Sequence, residues 1–514
     1  MSATETDIPR YTHRQIMLIM SGLAVGLLLG SLDQTIVSTA LTRISEDFHR
    51  TDLYSWVVTA YLLTSTASTP LYGKISDQFG RKRIFQASIV IFLIGSALSG
   101  LSQDMYQLIA FRAVQGIGAG GMMTLAIAIV GDVIAPRERG RYQGYFGVIF
   151  AFSSVVGPLV GGFFVDQASW RWVFYINLPI GLAGLVLINR VLQLDHHARR
   201  AKIDVAGSLL LVGGVSLLLV GVQMAGAAAA MTMTAWAYMV PGLLLLAAFG
   251  WWESRAAEPI IPLHLFRNRV FAVANLLGFV SGTIMFGALL FLPEYFQLVR
   301  GVSPTASGLR MLAMLAGVLL TSISSGRAVS RLGRYKVFVV VGTGILAVGV
   351  ALMTRIQVST GAWALSGMLF VVGLGMGLFM QILTLAVQNG VAREYMGVGT
   401  ASVTFFRTLG GAIGAAVLGA VLLLNERQSL PGYERRYGAG LPAAHHAFVS
   451  GLDHTFEYAL PAAVVAFLLS FLIREVRLRS SGPPALGGGG GDAGAGAGAG
   501  AGAVSGVSLE AVIG

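Results

Sequence analysis

The chain has 514 residues, of which 55% are hydrophobic and only 11% charged. A soluble domain carries roughly a quarter charged residues, so this composition excludes a soluble globular protein and removes nucleic acid as the reason for the net charge of +11. The absence of cysteine excludes disulfides, thiolate catalysis and cysteine-based metal sites.

The tail 1–15, "MSATETDIPRYTHRQ", is short and polar. No small-residue cleavage site closes the apolar segment after it, so that segment is expected to stay as a span. Fourteen apolar segments follow, at roughly 16–40, 53–73, 84–102, 105–131, 142–165, 171–192, 204–224, 235–252, 271–298, 305–326, 336–354, 360–387, 398–424 and 454–473. Each is long enough to cross a hydrocarbon core of about 30 Å. The expected fold is all-α and membrane-embedded. Six-helix bundles over 16–192 and 256–475 flank an inserted helix pair with its loops over 193–255. Beyond 475 the chain becomes "GGGGGDAGAGAGAGAGAG", which cannot bury enough apolar surface to fold and reads as a flexible tail over 476–514.

Cations set the orientation. With the N-terminus inside, 24 Lys and Arg fall on the inner side and 9 on the outer, while Arg112 and Arg407 fall within spans. Both termini are therefore expected in the cytoplasm, in a multi-pass protein of the cell membrane.

In the first span, Asp33 stands between "GLLLGSL" and "QTIV". An unpaired ionised carboxylate at that depth costs several kcal/mol, and intramembrane acids are functional candidates by default. An acid there can be neutralised by a proton or by a cationic substrate, but not by both at once, which is the minimal chemistry of an antiporter. After the second span comes "GKISDQFGRKR", Gly73 to Arg83. Asp77 lies one helical turn past Gly73, where it can cap a neighbouring helix N-terminus or pair with an arginine. Arg81, Lys82 and Arg83 hold the turn on the inner side, near anionic headgroups. Arg112, in the fourth span, is a buried guanidinium that requires partners.

Gly157-Pro158 interrupts the hydrogen-bond ladder of the fifth span, while Gly147, Gly161 and Gly162 offer a smooth surface for close helix approach. The pairs Gly373/Gly377 and Gly410/Gly414 read as packing seams. Glu294, after Pro293 near the outer end of the ninth span, is a second candidate for protonation. Gly326, Ser330, Gly333 and Arg334 repeat the spacing of Gly73, Asp77, Gly80 and Arg81, 253 residues on. This internal repeat points to duplicated six-span halves around a central cleft; the second copy has lost its acid. Gln34, Gln115, Gln381 and Arg407 are candidates for lining the cleft. The outer segment 425–453 reads as a solvated loop, with a short lid or hairpin as the alternative.

Taken together, the turn resembles the signature of the major facilitator superfamily, and fourteen spans resemble its drug:proton antiporter branch of EmrB/QacA type. "LIAFRAVQGIGAGG" (Leu108–Gly121), "GVIFAFSSVVGPLVGG" (Gly147–Gly162) and "LDQTIVSTALTRI" (Leu32–Ile44) resemble the family's fourth-helix, fifth-helix antiporter and first-helix motifs. Ser38 and Thr42 depart from the Asn and Pro usual in the last of these. The resemblance implies proton transfer through Asp33 and Arg112. It also implies a conformational latch of Gly73, Asp77, Gly80, Arg81, Lys82 and Arg83, with Arg137, Glu138, Arg139 and Arg141 on the next inner loop. The activity it implies is proton-driven export of lipophilic, often cationic, compounds by alternating access, by a chain that works as a monomer. Export of an endogenous lipid, siderophore or metabolite is the second reading. No phosphate-binding Gly-x-x-x-x-Gly-Lys-Ser/Thr stretch, metal cage or one-depth cluster of catalytic groups appears, so no cofactor, metal or enzyme activity is expected.

Overall fold

The computed structural model describes residues 12–50, 53–134, 136–192, 204–228, 230–256, 258–302 and 304–475. The flexible tail expected beyond 475 lies outside them, as do 1–11 and 193–203. In lipid every backbone polar group must be satisfied within its own segment, and the described chain is helical throughout. Its helices are α1 His13–Asp47, α2 Tyr54–Phe79, α3 Arg81–Leu101, α4 Met105–Val133, α5 Pro136–Gln167, α6 Trp172–Tyr175, α7 Asn177–Val191, α8 Val205–Ala228 and α9 Met233–Glu253. They continue as α10 Arg269–Leu298, α11 Pro304–Leu332, α12 Lys336–Met353, α13 Ala362–Gly390, α14 Met396–Tyr437 and α15 Leu441–Ser470.

Side-chain caps fix several helix starts. Thr12 and Gln15 form a capping box on α1, Asp104 accepts from Gln107 N at 2.8 Å on α4, and Asn268 accepts from Val270 N at 2.9 Å on α10.

Among the described residues, twelve helical segments are long and apolar enough to cross a membrane, with α6 and α7 counted as one. This is two fewer than the fourteen expected. Of the other two helices, α2 carries Thr64, Ser65, Thr66, Ser68 and Thr69 in its middle, and several side chains of α5 lie outside the described residues.

One apolar core joins α1 to α7 and a second joins α10 to α15. The halves meet where α2 packs on α14 and α5 on α11. The inserted α8 lies over the first of these seams, its Leu211, Val215 and Leu219 packing with Ala67 of α2 and with Phe405 and Leu409 of α14. At the end of α2, Lys74 pairs with Glu258 at 2.6 Å, beyond the inserted pair. Gly410 and Gly414 of α14 approach Phe279 and Thr283 of α10, and Gly373 and Gly377 of α13 approach Met314 and Val318 of α11.

The segment expected as a solvated loop at 425–453 is instead a helical hairpin. α14 runs on to Tyr437, and α15 starts at Leu441 after a turn with positive φ at Gly438 and Gly440. Tertiary contact holds these polar turns helical: the His446 ring of α15 stacks on Tyr437 at 4.4 Å and on Tyr433 at 5.4 Å.

Candidate functional site

Asp33 is fully buried inside the first half, in a carboxylate cage built from four helices. Its Oδ2 accepts from the Arg112 guanidinium of α4 at 2.6 Å. Its Oδ1 accepts from Gln115 Nε2 at 2.8 Å and from Asn177 Nδ2 of α7 at 3.0 Å. Arg112 also donates to Gln115 Oε1 at 2.8 Å, and its guanidinium lies 4.2 Å from the centroid of the Tyr61 ring of α2. Tyr61 in turn donates its hydroxyl to Gly30 O, one turn before Asp33, at 3.3 Å. Arg112 and Gln115 are i, i+3 on one helix and so reach one carboxylate together. Asn177 starts α7 after the break that separates it from α6, and this places its amide between Asp33 and Ser96, whose hydroxyl accepts from Nδ2 at 3.0 Å.

This overturns one expectation. Asp33 is not a lone acid facing cargo, because Arg112 neutralises it and three donors saturate it. Gln115, expected to line the cleft, is buried in the same cage. Gln34, the next residue on α1, is exposed, while Gln381 and Arg407 are half-buried. Glu294 is exposed near the far end of α10 and is not among the groups around Asp33.

The opposite face of α1 grips α5. Ser31 and Ser153 hydroxyls meet at 2.7 Å, and Thr35 donates to Ser153 O at 3.0 Å. Gly157 and Gly161 let the helices approach this closely, since a side chain on either would strike Thr35 or Thr39. Pro158 lies inside α5 beside that seam. Gly147 faces Leu319 of α11 in the other half, whereas Gly162 faces open space and takes no part in close approach.

A second charged cluster sits at the end of α2. Asp77 pairs with Arg81 at 3.0 Å, and Arg81 pairs also with Asp132 near the end of α4. The other Asp77 oxygen accepts from Val398 N at 3.3 Å. Val398 belongs to the first turn of α14, where unsatisfied N–H groups and the helix dipole favour a carboxylate. The approach requires glycine on both helices: a Cβ on Gly397 would strike the Asp77 carboxylate, and one on Gly73 would lie 2.5 Å from Ala401. Gly80, at φ 97°, ends α2 and opens α3 with no intervening loop. Lys82 donates to Asn189 O at 2.9 Å and Arg83 is exposed. Arg139 closes the end of α4, donating to Ile134 O at 2.8 Å and to Gly131 O; Glu138 is exposed. The side chains of Arg137 and Arg141 lie outside the described residues. Beside this cluster, Gln388 of α13 donates to Ile127 O of α4 at 3.3 Å and to Thr400 of α14 at 3.0 Å, so both halves meet here again.

The Major Facilitator Superfamily model matches residues 23–415. The chain belongs to the major facilitator superfamily. It is 38% identical over 441 residues to the multidrug transporter protein MdtP of Bacillus subtilis, covering 85% of this chain and 80% of that protein. It is 34% identical over 408 residues to multidrug resistance protein 3 of the same organism, covering 78% and 79%. In fold it is similar to the proton:xylose symporter XylE with bound 6-bromo-6-deoxy-D-glucose, at a TM-score of 0.61 and 14% identity, covering 90% of this chain and 97% of that one. The curated relatives place this facilitator among transporters rather than enzymes and favour drug efflux in general.

Sequence reasoning missed several members of these two clusters. Asn177 was hidden because a single amide in "YINLPIG" carries no pattern, although its place in an apolar run was a signal. Tyr61 reads as packing until its ring is seen under a guanidinium. Asp132, in "IVGDVI", is a near-membrane acid whose position at a helix end disguised it. Gly397 and Val398 belong to a helix start with no side-chain cap of its own, and that missing cap was the available signal.

Proposed function

We propose that this facilitator is a proton-driven exporter of lipophilic small molecules, of the fourteen-span drug:proton antiporter type. The observation that carries the reading is the buried pair of Asp33 and Arg112, a carboxylate enclosed in the membrane with a partner that can hold or release it. Intramembrane ionisable residues of this kind mark proton relays. A proton reaching Asp33 removes the counter-ion of Arg112, and the guanidinium turns to Gln115 and the Tyr61 ring. α1 is pinned to α5 through Ser31, Thr35 and Ser153, and α5 packs on α11, so a change at Asp33 reaches the surface on which the halves rock. Glu294, outside the Asp33 cage, is then a second and separate proton-accepting group, and Gln34, Gln381 and Arg407 are the side chains offered to cargo.

The cation bias puts the Gly73–Arg83 turn on the cytoplasmic side, with both termini. The contacts of Asp77 with α14 and of Gln388 with α4 then shut the cytoplasmic path. Asp77 and Arg81 serve as the latch of this state, and Arg139 braces α4 behind it. α2 and α5, at 26 and 32 residues, are as long as the spans they pack on, and we count both as crossing. The protein works as a monomer in the cell membrane.

Efflux of a fluorescent lipophilic dye from cells, with and without a protonophore, tests the reading. Accumulation should rise when the gradient is collapsed. Efflux indifferent to the protonophore contradicts proton drive.

A further inference from the structure

Arg407 lies 11 residues along α14 from Met396, about 16 Å at 1.5 Å per residue and so near the middle of a core of about 30 Å. It is half-buried and makes no hydrogen bond, ion pair or ring contact with another described residue. The contrast with Arg112 is direct, since that guanidinium has a carboxylate, an amide and an aromatic face.

The helical repeat shows which way Arg407 looks. It stands seven residues, two turns, beyond Thr400, on the same face of α14. Thr400 bonds Gln388 of α13, and Gln388 bonds Ile127 of the other half, so this face is turned to the interior between the halves. Gln381 stands two turns from Gln388 on the corresponding face of α13, so it shares the depth of Arg407. Other faces of α14 are covered by α2, α8 and α10. Phe286 of α10 lies over Gly411, one turn from Arg407, and offers apolar surface beside the cation.

No described acid is left at this level. Asp33 is saturated in its cage, and Glu294 and Glu426 lie toward the far ends of α10 and α14. A guanidinium held in the membrane without a counter-ion is costly, and a bound anion removes that cost. Its planar fork suits a carboxylate or sulfonate better than a point charge does. We infer that Arg407, with Gln381, receives the acid group of an amphipathic aromatic substrate, so that the cargo of this transporter is anionic or zwitterionic rather than purely cationic. This rests on the export reading for its physiological meaning but not for the binding site itself.

The test uses the full chain in phosphatidylcholine nanodiscs and two probes: a rhodamine with a free benzoate, and the same rhodamine as its ethyl ester. Fluorescence titration should show Arg407→Gln weakening the free acid about tenfold or more, with the ester changed less than about twofold. Arg407→Lys, which keeps the charge and loses the fork, should fall between and covers the case in which the glutamine variant does not fold. Failure of the natural chain to bind the free acid, or equal effects of the substitutions on both dyes, overturns the inference. Free acid bound in nanodiscs but not pumped by everted vesicles refutes export while leaving the site intact.

Discussion

The two halves of this facilitator hold an arginine in the membrane in opposite ways. In the first half Arg112 is enclosed with Asp33, Gln115, Asn177 and Tyr61, and every charge has its partner. In the second half Arg407 stands half-buried with no described partner. A saturated pair is expensive to disturb, so it suits an internal switch thrown only by a proton. An unpaired cation is open to an external ligand. In the proposed cycle this difference divides driving from cargo handling.

The two repeated turns also differ in what their second residue carries. Asp77 in the first reaches across to Val398, whereas Ser330 in the second bonds back to Gly326 O of its own helix at 2.9 Å.

The strongest way to break this division is Asp33→Asn. Substrate-driven proton flux should fall about a hundredfold or more, as when an essential proton carrier is removed. The Arg112 left without a counter-ion should cost about 3–5 kcal/mol of stability, read as a lower thermal midpoint in detergent. Combining it with Arg112→Gln should recover most of that midpoint and none of the coupling, because the pair is then gone rather than broken. A double variant no more stable than the single one would remove the pair as the source of the cost.

Gly397→Val should be next in size. Its side chain cannot share space with Asp77, so α2 and α14 must part, and cysteine pairs across this seam should crosslink poorly. Unchanged crosslinking would mean that the helices do not close here. Asp77→Asn keeps an acceptor for Val398 but loses the charge that holds Arg81. Turnover should slow about tenfold while substrate affinity moves little. A loss confined to affinity would place Asp77 in binding instead. The smallest effect is expected from Ser330→Asp, which restores an acid to the second turn. The contact of Asp77 with Val398 at the first turn is left untouched, so transport should change about twofold or less.

Much of this was legible in the sequence because the membrane imposes a linear code. Apolar runs marked the helices, and the spacing of Gly73, Asp77, Gly80 and Arg81 marked the turn. Asp33 stood out as an acid in an apolar run. Its partnership with Arg112 did not, because relative depth across two helices depends on tilt, which spacing does not encode. The α14–α15 hairpin stood only as the alternative to a solvated loop for a related reason: "NERQSLPGYERRYGAG" is polar and carries Pro431, and its helicity comes from rings that meet only after folding. Apolarity counted along the chain also missed that α2 is enclosed by other helices along most of its length, which lets it carry hydroxyls.

The most direct test of the account is substrate-driven proton movement in proteoliposomes carrying a pH-sensitive dye inside, compared between the natural chain and Asp33→Asn at equal reconstituted amounts. The account predicts a pH change with the natural chain when substrate is added and none with the variant. An equal pH change with both would show that protons cross without Asp33, and the buried pair would then be structural only.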